Sequence, residues 1–365
     1  MGALPRLRLT RRAPADGTAS VFKTVCLPAT DVFAALNEQY VERIVKFLLW
    51  ARGGDKVLLS GAAAPQMKKM LESKYCAGGD REFDKDFIFK LFETDITFVT
   101  CDEADLPAES TSSLPLGRNL DGCRIVRRHS SSRFPSSAVA RAQLVRCCGQ
   151  GFDLGGSDRK CAALIDGKVV FSEEVRWDPY FNDDPSYHYK GIMHSLELAA
   201  AHLPRVDAIG GSSAGVYINN KVRVASLFRG VEEKSKDLFD SQVKNMFLDV
   251  AAEWKVPFEV LNDGDVTALA ASMSLEKNAI IGMAMGTSVA GGFCDRQGNL
   301  TNWLNELAFV PVDYRPDGPL DEWSGDEGCG VQYFSQQGAC RLLPSVGINL
   351  PEDMLFPEQV RPRPG

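Results

Sequence analysis

Two glycine-bearing turns, far apart along the chain, constrain its fold more than any other sequence feature. Gly155-Gly156 follows the predicted strand 152–154, and Gly286-Thr287-Ser288 lies between the apolar stretches 279–285 and 289–294. Because glycine has no Cβ, the backbone N–H groups of such turns can approach a phosphate closely. One turn alone is more often a structural hairpin, but two can grip a polyphosphate from both sides. The pair therefore predicts an α/β protein that binds a phosphorylated ligand.

Composition places the chain among globular proteins and excludes several classes. Its 365 residues suggest two domains, and 44% hydrophobic residues suffice for sizeable cores. With 48 acidic against 41 basic residues, the net charge of −7 disfavours a nucleic-acid-binding surface. No apolar run reaches the roughly 18–20 residues that a membrane helix needs, so no membrane partner is expected. The ten cysteines are dilute and lie mostly in apolar runs, which indicates reduced thiols and a cytoplasmic protein.

Arginine-rich segments divide the chain. Residues 1–19 carry four Arg and no acid in the first 15 positions, which favours a disordered tail over an organelle-targeting signal. Residues 20–123 mix helical and strand patterns and predict an N-terminal α/β domain. Residues 124–150 carry six Arg, five Ser and no acid, which favours a disordered insertion over a basic docking loop. Residues 126–150 interrupt what would otherwise be one strand formed by 123–125 and 151–153, so a weakened strand and a mobile glycine turn are expected.

Residues 151–350 consist of short strands, helices and tight turns. Asp166-Gly167 and Asn219-Asn220 each predict a two-residue hairpin turn. Apolar periodicity predicts helices over 189–202 and 236–254. Residues 351–365 predict a disordered tail.

Asn262-Asp263 follows the predicted strand 258–261 and precedes a predicted helix. In open α/β sheets the carboxyl ends of strands face the ligand crevice. An aspartate there can accept the proton of a substrate hydroxyl during phosphoryl transfer. The alternative role is an N-cap of the following helix, which Asp265 fills equally well. At the end of the earlier strand, Asp153 can hold a hydrated Mg²⁺ over the phosphates of the same ligand.

Two further polar segments are candidates for substrate contacts. Gly211-Ser212-Ser213-Ala214-Gly215 fits the G-x-S-x-G pattern of serine hydrolases. That chemistry is excluded because a hairpin is predicted after it and all four histidines precede Ser213. A turn that borders a substrate pocket is the better interpretation. Asn305-Glu306 offers ligands for paired sugar hydroxyls, although a solvated surface acid fits the local sequence equally well.

Taken in order, these segments resemble the ROK family of sugar kinases and sugar-responsive regulators, within the hexokinase and actin-like ATPase superfamily. The resemblance covers residues 151 to about 343, and it rests on FDLGGSDRK, AIGGSSAGV, VLNDGDVTALA, MGTSVAGGF, and NELA followed by GCGVQYFSQQGAC. It implies actin-like (ribonuclease H-like) ATPase lobes with ATP and a sugar in the cleft. The implied activity is ATP-dependent phosphorylation of a sugar hydroxyl, as in glucokinases.

The resemblance also implies a role for individual residues. Asp263 takes the position of the catalytic base, and Asp153 that of the residue which holds Mg²⁺ through water. The implied phosphate-binding residues are Asp153, Gly155, Gly156, Ser157, Gly286, Thr287 and Ser288. The implied substrate-binding residues are Gly211, Ser212, Asn262, Asp263 and Glu306. The expected ligands are thus a sugar and ATP with Mg²⁺, and a homodimer is compatible with the sequence.

The chain departs from the family pattern in ways that change these expectations. The Glu-x-Gly-His motif of typical members is Glu306-Leu307-Ala308-Phe309 here, and only Cys329 and Cys340 remain of the zinc cysteines, so zinc is not expected. The part after residue 150 is shorter than the family core, which predicts an incomplete C-terminal lobe. The alternative function is therefore a non-catalytic sugar-binding or regulatory relative with impaired ATP binding.

Overall fold

The computed structural model of the chain describes residues 6–12, 19–27, 30–102, 104, 147–286, 288–301 and 303–348. These residues form a mixed α/β protein that contains a mixed sheet. They divide into two compact units: a central unit within 115–263, and a composite unit that joins described residues of 1–114 to those of 264–365. Among the described residues, no helix combines the length and the apolarity needed to cross a membrane.

Short strands and helices follow one another along the described chain. The strands are β1 Arg6–Arg12, β2 Ala19–Val25, β3 Lys56–Ser60, β4 Thr97–Thr100, β5 Cys148–Leu154, β6 Asp158–Ile165, β7 Lys168–Arg176, β8 Ala208–Ser213, β9 Val216–Ile218, β10 Lys221–Val224, β11 Phe258–Asn262, β12 Ile280–Met285 and β13 Val289–Cys294. The helices are α1 Asp31–Arg52, α2 Ala64–Lys74, α3 Glu82–Phe92, α4 Pro185–Ala200, α5 Arg229–Lys234, α6 Lys236–Leu238, α7 Met246–Trp254, α8 Asp263–Ser274 and α9 Gln336–Leu342.

The central unit contains a five-stranded sheet in the order β11-β8-β5-β6-β7. β5, β8 and β11 run parallel, and β6 and β7 continue the sheet as antiparallel strands. The predicted two-residue turns are confirmed, because Asp166 and Asn219-Asn220 have the positive φ angles that such hairpins need. α4 and α7 pack against the sheet through a buried core that includes Phe152, Leu196 and Phe247.

In the composite unit, a four-stranded sheet has the order β2-β1-β3-β4. α1 and α2 pack against it through a buried core that includes Val41, Leu49, Leu59, Leu71 and Phe98. Together, α1, α2 and the strand β3 provide most of this core. The antiparallel β12-β13 pair belongs to the same unit.

A buried cluster of charged side chains joins the N-terminal and C-terminal parts of the composite unit. Lys46 of α1 has 0% exposure, and its Nζ lies 3.0 Å from both carboxylate oxygens of Asp84 in α3. Lys46 also pairs with Asp326, and Arg81 pairs with both Asp326 and Glu42. The segment expected as a separate domain over 20–123 is therefore, in its described part, one compact unit with residues from 264 onward.

An aromatic cluster reinforces the same junction. Trp50 of α1, Phe83 and Phe87 of α3, and Phe309 have ring centroids between 4.5 and 6.1 Å apart. The indole Nε1 of Trp50 donates a hydrogen bond to Asp84 at 2.8 Å, so the aromatic and charged clusters are continuous. Phe309, which stands where the family motif has histidine, is thus a core residue of this unit.

The disorder expected over residues 1–19 is wrong for Arg6–Arg12. This segment is β1, which pairs with β2 along its whole length and with β3 over residues 8–12. Leu7 and Leu9 alternate with arginines in the sequence, and a period of two is a strand signal. Residues 1–5 and 13–18 lie outside the described residues, as does the tail expected over 351–365.

The insertion expected over 124–150 extends too far at its C-terminal end. Cys148, Gly149 and Gln150 are the first residues of β5, whereas residues 105–146 lie outside the described part of the chain. β5 pairs with β6 along its full length and with β8 over residues 149–154. The predicted weakening of this strand is therefore wrong, because its backbone groups are paired on both sides.

The single helix expected over 236–254 is divided into α6, a π turn at Phe239–Val243, and α7. The backbone N–H of Lys244 donates to the carbonyl of Phe239, which adds one residue to the helical turn. The carbonyl of Lys244 accepts a hydrogen bond from the N–H of Val222 in β10 at 3.0 Å. Because β10 uses this carbonyl, the regular helical ladder does not continue through it.

Candidate active site

Three parallel strands of the central unit end level with one another, and their ends carry polar residues. Asp153 of β5 stands in register with Ser212 of β8, and Ser212 with Leu261 of β11. One position further, Ser213 stands in register with Asn262. Neighbouring strands are about 4.8 Å apart, so Asp153 lies roughly 10 Å from the end of β11. The carboxyl edge of the sheet therefore brings Asp153, Ser212 and Asn262 together.

Asp263 extends this edge as the first residue of α8. Asp263 is half-buried. Burial is the main cause of the raised pKa values of Tyr180 and Tyr217, and the charge of Asp263 adds to both. Because α8 begins at Asp263, Asp265 lies inside the first turn, where it accepts a hydrogen bond from Asn305 at 3.3 Å. The expectation that Asp265 can cap this helix, which would leave Asp263 available for another role, does not match this helix start.

Asn262 is held by a backbone group of the same edge. Its Nδ2 donates to the carbonyl of Gly215 at 2.8 Å, which ties the end of β11 to the loop after β8. This contact fixes the backbone immediately before Asp263. Asn262 is a predicted sugar-binding residue, and one side-chain N–H of Asn262 is thus already used in a structural hydrogen bond.

The first glycine turn is anchored by Trp177, which directly follows β7. The N–H of Gly155 donates to the carbonyl of Asp158 at 2.9 Å and closes the turn. The indole Nε1 of Trp177 donates to the carbonyl of Gly155 at 2.8 Å, and its backbone N–H donates to Ser157 at 3.2 Å. These bonds tie the turn to the residue that follows β7; its expected mobility stays a prediction.

Charged groups surround this turn. Lys160 stands opposite Asp153 in the β5-β6 ladder and forms an ion pair with Asp158. The hydrogen bond to Asp158, with smaller contributions from the charges of Asp158 and Asp153, raises the pKa of Lys160. The same hydrogen bond lowers the pKa of Asp158, which also accepts from Ser157 Oγ at 2.9 Å. A cation therefore stays beside the turn at neutral pH.

Ser213, which is fully buried at the end of β8, and the half-buried Tyr217 form a hydroxyl pair. The Tyr217 hydroxyl donates to the carbonyl of Ala214 at 2.9 Å, so the Ser213 hydroxyl, 2.6 Å away, is the donor to Tyr217. The β9-β10 hairpin follows this segment, as predicted. Ser213 is fully buried and bonded to Tyr217, which agrees with the exclusion of serine-hydrolase chemistry.

Close packing against a neighbouring ring explains why position 211 is a glycine. It is buried in β8 beside Phe152, and a Cβ on Gly211 would overlap the Phe152 ring, whereas a Cβ on Gly210 would meet nothing within 4 Å. Gly211→Ala should therefore lower the free energy of unfolding by about 1–3 kcal/mol through overpacking. Gly210→Ala, on the opposite face of the same strand, should leave it nearly unchanged. Chemical denaturation of both variants checks this, and equal midpoints would show that Phe152 does not explain the glycine.

The second turn and the predicted sugar-binding glutamate belong to the composite unit. Gly286 donates to the carbonyl of Ser288 at 2.9 Å, and both residues are exposed, while Thr287 lies outside the described residues. Glu306 is half-buried, and its N–H donates to the carbonyl of Trp50 at 3.1 Å. The end of α1 therefore supports the Glu306 backbone.

No group of three or more His, Cys, Asp or Glu that could hold a metal ion occurs among the described residues. Cys329, one of the two cysteines left from the zinc pattern, is fully buried, and burial raises the pKa of its thiol to about 11. A thiol with this pKa is protonated at neutral pH.

Sequence reasoning missed the aromatic residues of this site. Trp177 holds the glycine turn, and Tyr180 lies against Gly156, where a Cβ would overlap its hydroxyl. The only sequence signal is their position directly after a strand, in the segment WDPY. Nothing in the sequence distinguishes Tyr180 from the other tyrosines, because its contact with the turn depends on the path of the chain after β7.

Comparison with known proteins gives structural likenesses alone. Neither a family sequence model nor a curated protein sequence matches the chain. Similar solved structures include ROK-family proteins. A ROK hexokinase from Thermus thermophilus is 18% identical with a TM-score of 0.44, over 57% of this chain and 67% of that one.

Two other similar structures illustrate the range of functions. A glucokinase from Parabacteroides distasonis is 15% identical with a TM-score of 0.43, over 56% of this chain and 59% of its own. A ROK-family transcriptional regulator, a homologue of the E. coli MLC protein, is 17% identical with a TM-score of 0.40. The match covers 55% of this chain and 49% of the regulator. In these last two comparisons the matched part spans less than two thirds of the solved structure.

Proposed function

We propose that this chain transfers the terminal phosphoryl group of ATP to a hydroxyl of a sugar, as a ROK-type, glucokinase-like kinase. The observation that carries the proposal is the shared edge of β5, β8 and β11. There a half-buried aspartate, Asp263, lies near an anchored glycine turn and a second aspartate, Asp153. In open α/β sheets this edge is where ligands bind. The finer fold assignment, actin-like lobes of which the second is incomplete, is part of the same proposal.

Asp263 is the proposed general base. Its carboxylate accepts the proton of the sugar hydroxyl as that oxygen attacks the terminal phosphorus of ATP. Positioning and neutralisation of charge provide most of the catalysis in phosphoryl transfer, so a well-placed carboxylate suffices as the proton acceptor. The Asn262–Gly215 hydrogen bond contributes by fixing the backbone from which Asp263 projects.

Asp153 is the proposed residue for Mg²⁺. Magnesium usually keeps several waters and is bound by one or two carboxylates together with substrate phosphates, and a single half-buried carboxylate at a strand end fits this pattern. When bound, the ion neutralises charge on the phosphates. Gly156 and Ser157 would hold the phosphates through backbone N–H groups, and Gly155 would shape the turn, because its own N–H donates to Asp158. Lys160 would add positive charge beside them.

The remaining roles follow from the resemblance. Ser212 and Asn262 are proposed to contact the sugar from the strand edge, together with Glu306. Gly286, Thr287 and Ser288 are proposed as the second phosphate turn. Gly211 is a weaker candidate for a ligand contact, because its packing against Phe152 already explains a glycine there.

Calorimetric titration of the wild-type chain with ATP–Mg and with a panel of hexoses tests the proposal. A kinase binds both ligands, and adding both together yields ADP at a rate that depends on the sugar. Sugar binding without nucleotide binding would select the alternative, a sugar-binding or regulatory relative. Binding of neither ligand would contradict both.

A further inference from the structure

The segment that follows β7 crosses the first glycine turn and places Tyr180 on it. Trp177 is bonded to the turn through its indole and its backbone N–H. Three residues later, Tyr180 lies so close to Gly156 that a Cβ there would overlap the hydroxyl oxygen and the adjoining ring carbons. The residue as a whole is half-buried, and the hydroxyl end of its side chain packs on the turn.

Tyr180 is held from several sides in this position. Its hydroxyl is hydrogen-bonded to Ser226, and the guanidinium carbon of Arg229 lies 5.8 Å from its ring centroid. Its backbone carbonyl packs on Gly230, where a Cβ would come within 3.0 Å of that oxygen. The ring is therefore fixed against the turn by the start of α5, which preorganises the hydroxyl.

The charge of Asp263 also acts on this hydroxyl. Burial is the main cause of the raised pKa of Tyr180; the Ser226 hydroxyl and the charge of Arg229 oppose it, and the charge of Asp263 makes a smaller contribution that raises it. Tyr180 consequently stays protonated at neutral pH and can donate a hydrogen bond. A neutral donor thus lies against the glycine turn and within electrostatic range of the proposed base.

We infer that the Tyr180 hydroxyl donates a hydrogen bond to the phosphoryl group while it passes from the nucleotide on the Gly155-Gly156 turn to the substrate hydroxyl at Asp263. This inference rests on the proposed kinase function and adds a phosphoryl-contacting residue to it. In the step, the bond from the terminal phosphorus to the ADP oxygen breaks and a bond to the sugar oxygen forms. The sugar hydroxyl proton goes to Asp263, and Tyr180 keeps its own proton. Donors that are fixed where charge develops stabilise such transition states without reorganising.

Tyr180→Phe is the decisive variant, because it removes the hydroxyl and keeps the ring on Gly156. We expect kcat for sugar phosphorylation to fall by about 10²–10³-fold, the usual effect of losing one preorganised donor. The KM for sugar and the calorimetric Kd for ATP–Mg should stay within about threefold of wild type. Tyr189→Phe is the matched control, since the Tyr189 hydroxyl donates to Glu253 on the surface, and it should leave kcat unchanged.

The outcomes separate the inference from the proposed function. A wild-type chain that does not phosphorylate any sugar overturns both. An active wild type with an unchanged kcat in Tyr180→Phe overturns the inference alone. A lower kcat accompanied by an equal loss of ATP–Mg affinity also overturns it, because Tyr180 would then only shape the turn.

Ser226→Ala provides a second variant if Tyr180→Phe does not fold. It removes the hydrogen-bond partner of the Tyr180 hydroxyl and leaves the tyrosine in place. We expect kcat to fall by about tenfold, with the affinity for ATP–Mg unchanged. A wild-type kcat in this variant would contradict the inference.

Discussion

Asp263→Asn should lower sugar-dependent ATP turnover by about 10²–10⁴-fold, the range that general-base catalysis contributes. Asparagine has nearly the same shape as aspartate, but it cannot accept the proton of the substrate hydroxyl. The strand edge should survive the change, because Asn262 still donates to the Gly215 carbonyl and fixes the end of β11. We therefore expect sugar affinity, measured by calorimetry, to stay within about threefold of wild type.

Asp240→Asn is the matched control for this variant. Asp240 is an exposed aspartate in the π turn before α7, in the same compact unit, and its substitution should leave turnover unchanged. An Asp263→Asn variant that retains the wild-type kcat would remove Asp263 from the mechanism.

A spectroscopic readout tests the position of Asp263 independently of turnover. Burial raises the pKa values of Tyr180 and Tyr217, and the charge of Asp263 raises both further. Asp263→Asn should therefore shift tyrosine ionisation towards lower pH in an alkaline absorbance titration, whereas Asp240→Asn should not.

Lys46→Met should destabilise the protein by about 3–5 kcal/mol, the usual cost of breaking a buried ion pair from one side. Lys46 is fully buried between Asp84 and Asp326, and its removal leaves carboxylates in the interior without their shared cation. Arg81 still pairs with Asp326, but only Lys46 supplies the 3.0 Å bonds to both oxygens of Asp84 among the contacts of the described residues. Denaturant unfolding, followed by tryptophan fluorescence, measures the loss.

Lys68→Met is the control for this prediction. Lys68 pairs with Glu72 one helical turn away, and both side chains are partly exposed, so its loss should cost no more than about 0.5 kcal/mol. Hydrogen exchange adds a test of the composite unit. Protection should fall in Lys46→Met both in β3 and around residues 330–332, since the cluster joins both parts. Equal unfolding midpoints for the two variants would show that the cluster does not hold the unit together.

The sequence predicts those parts of the fold that depend on local chemistry. The Asn219-Asn220 hairpin was predictable because few residues other than asparagine and glycine accept two successive positive φ angles. The division of the helix expected over 236–254 was not predictable, since it depends on a backbone hydrogen bond between Lys244 and Val222 in β10. The union of α1 with the segment around Asp326 was not predictable either, because Lys46 and Asp326 are 280 positions apart.

In the candidate site too, some residues were predictable from the sequence and others depend on contacts between distant segments. Asp153 and Asn262-Asp263 were predictable, because carboxyl ends of parallel strands meet at one sheet edge, and the register of β5, β8 and β11 aligns them. Trp177 and Tyr180 were not, because their contacts with the glycine turn depend on how the loop after β7 folds back. The roles of Gly286, Thr287, Ser288 and Glu306 stay predictions.

Transfer of the labelled terminal phosphoryl group of ATP to a panel of hexoses, with Mg²⁺ present, tests the central claim most directly. A wild-type chain that works as proposed forms a labelled sugar phosphate, needs Mg²⁺ to do so, and loses the product in Asp263→Asn. Sugar binding without any labelled sugar phosphate, across the whole panel, would contradict the assignment of the β5-β8-β11 edge as a phosphoryl-transfer site.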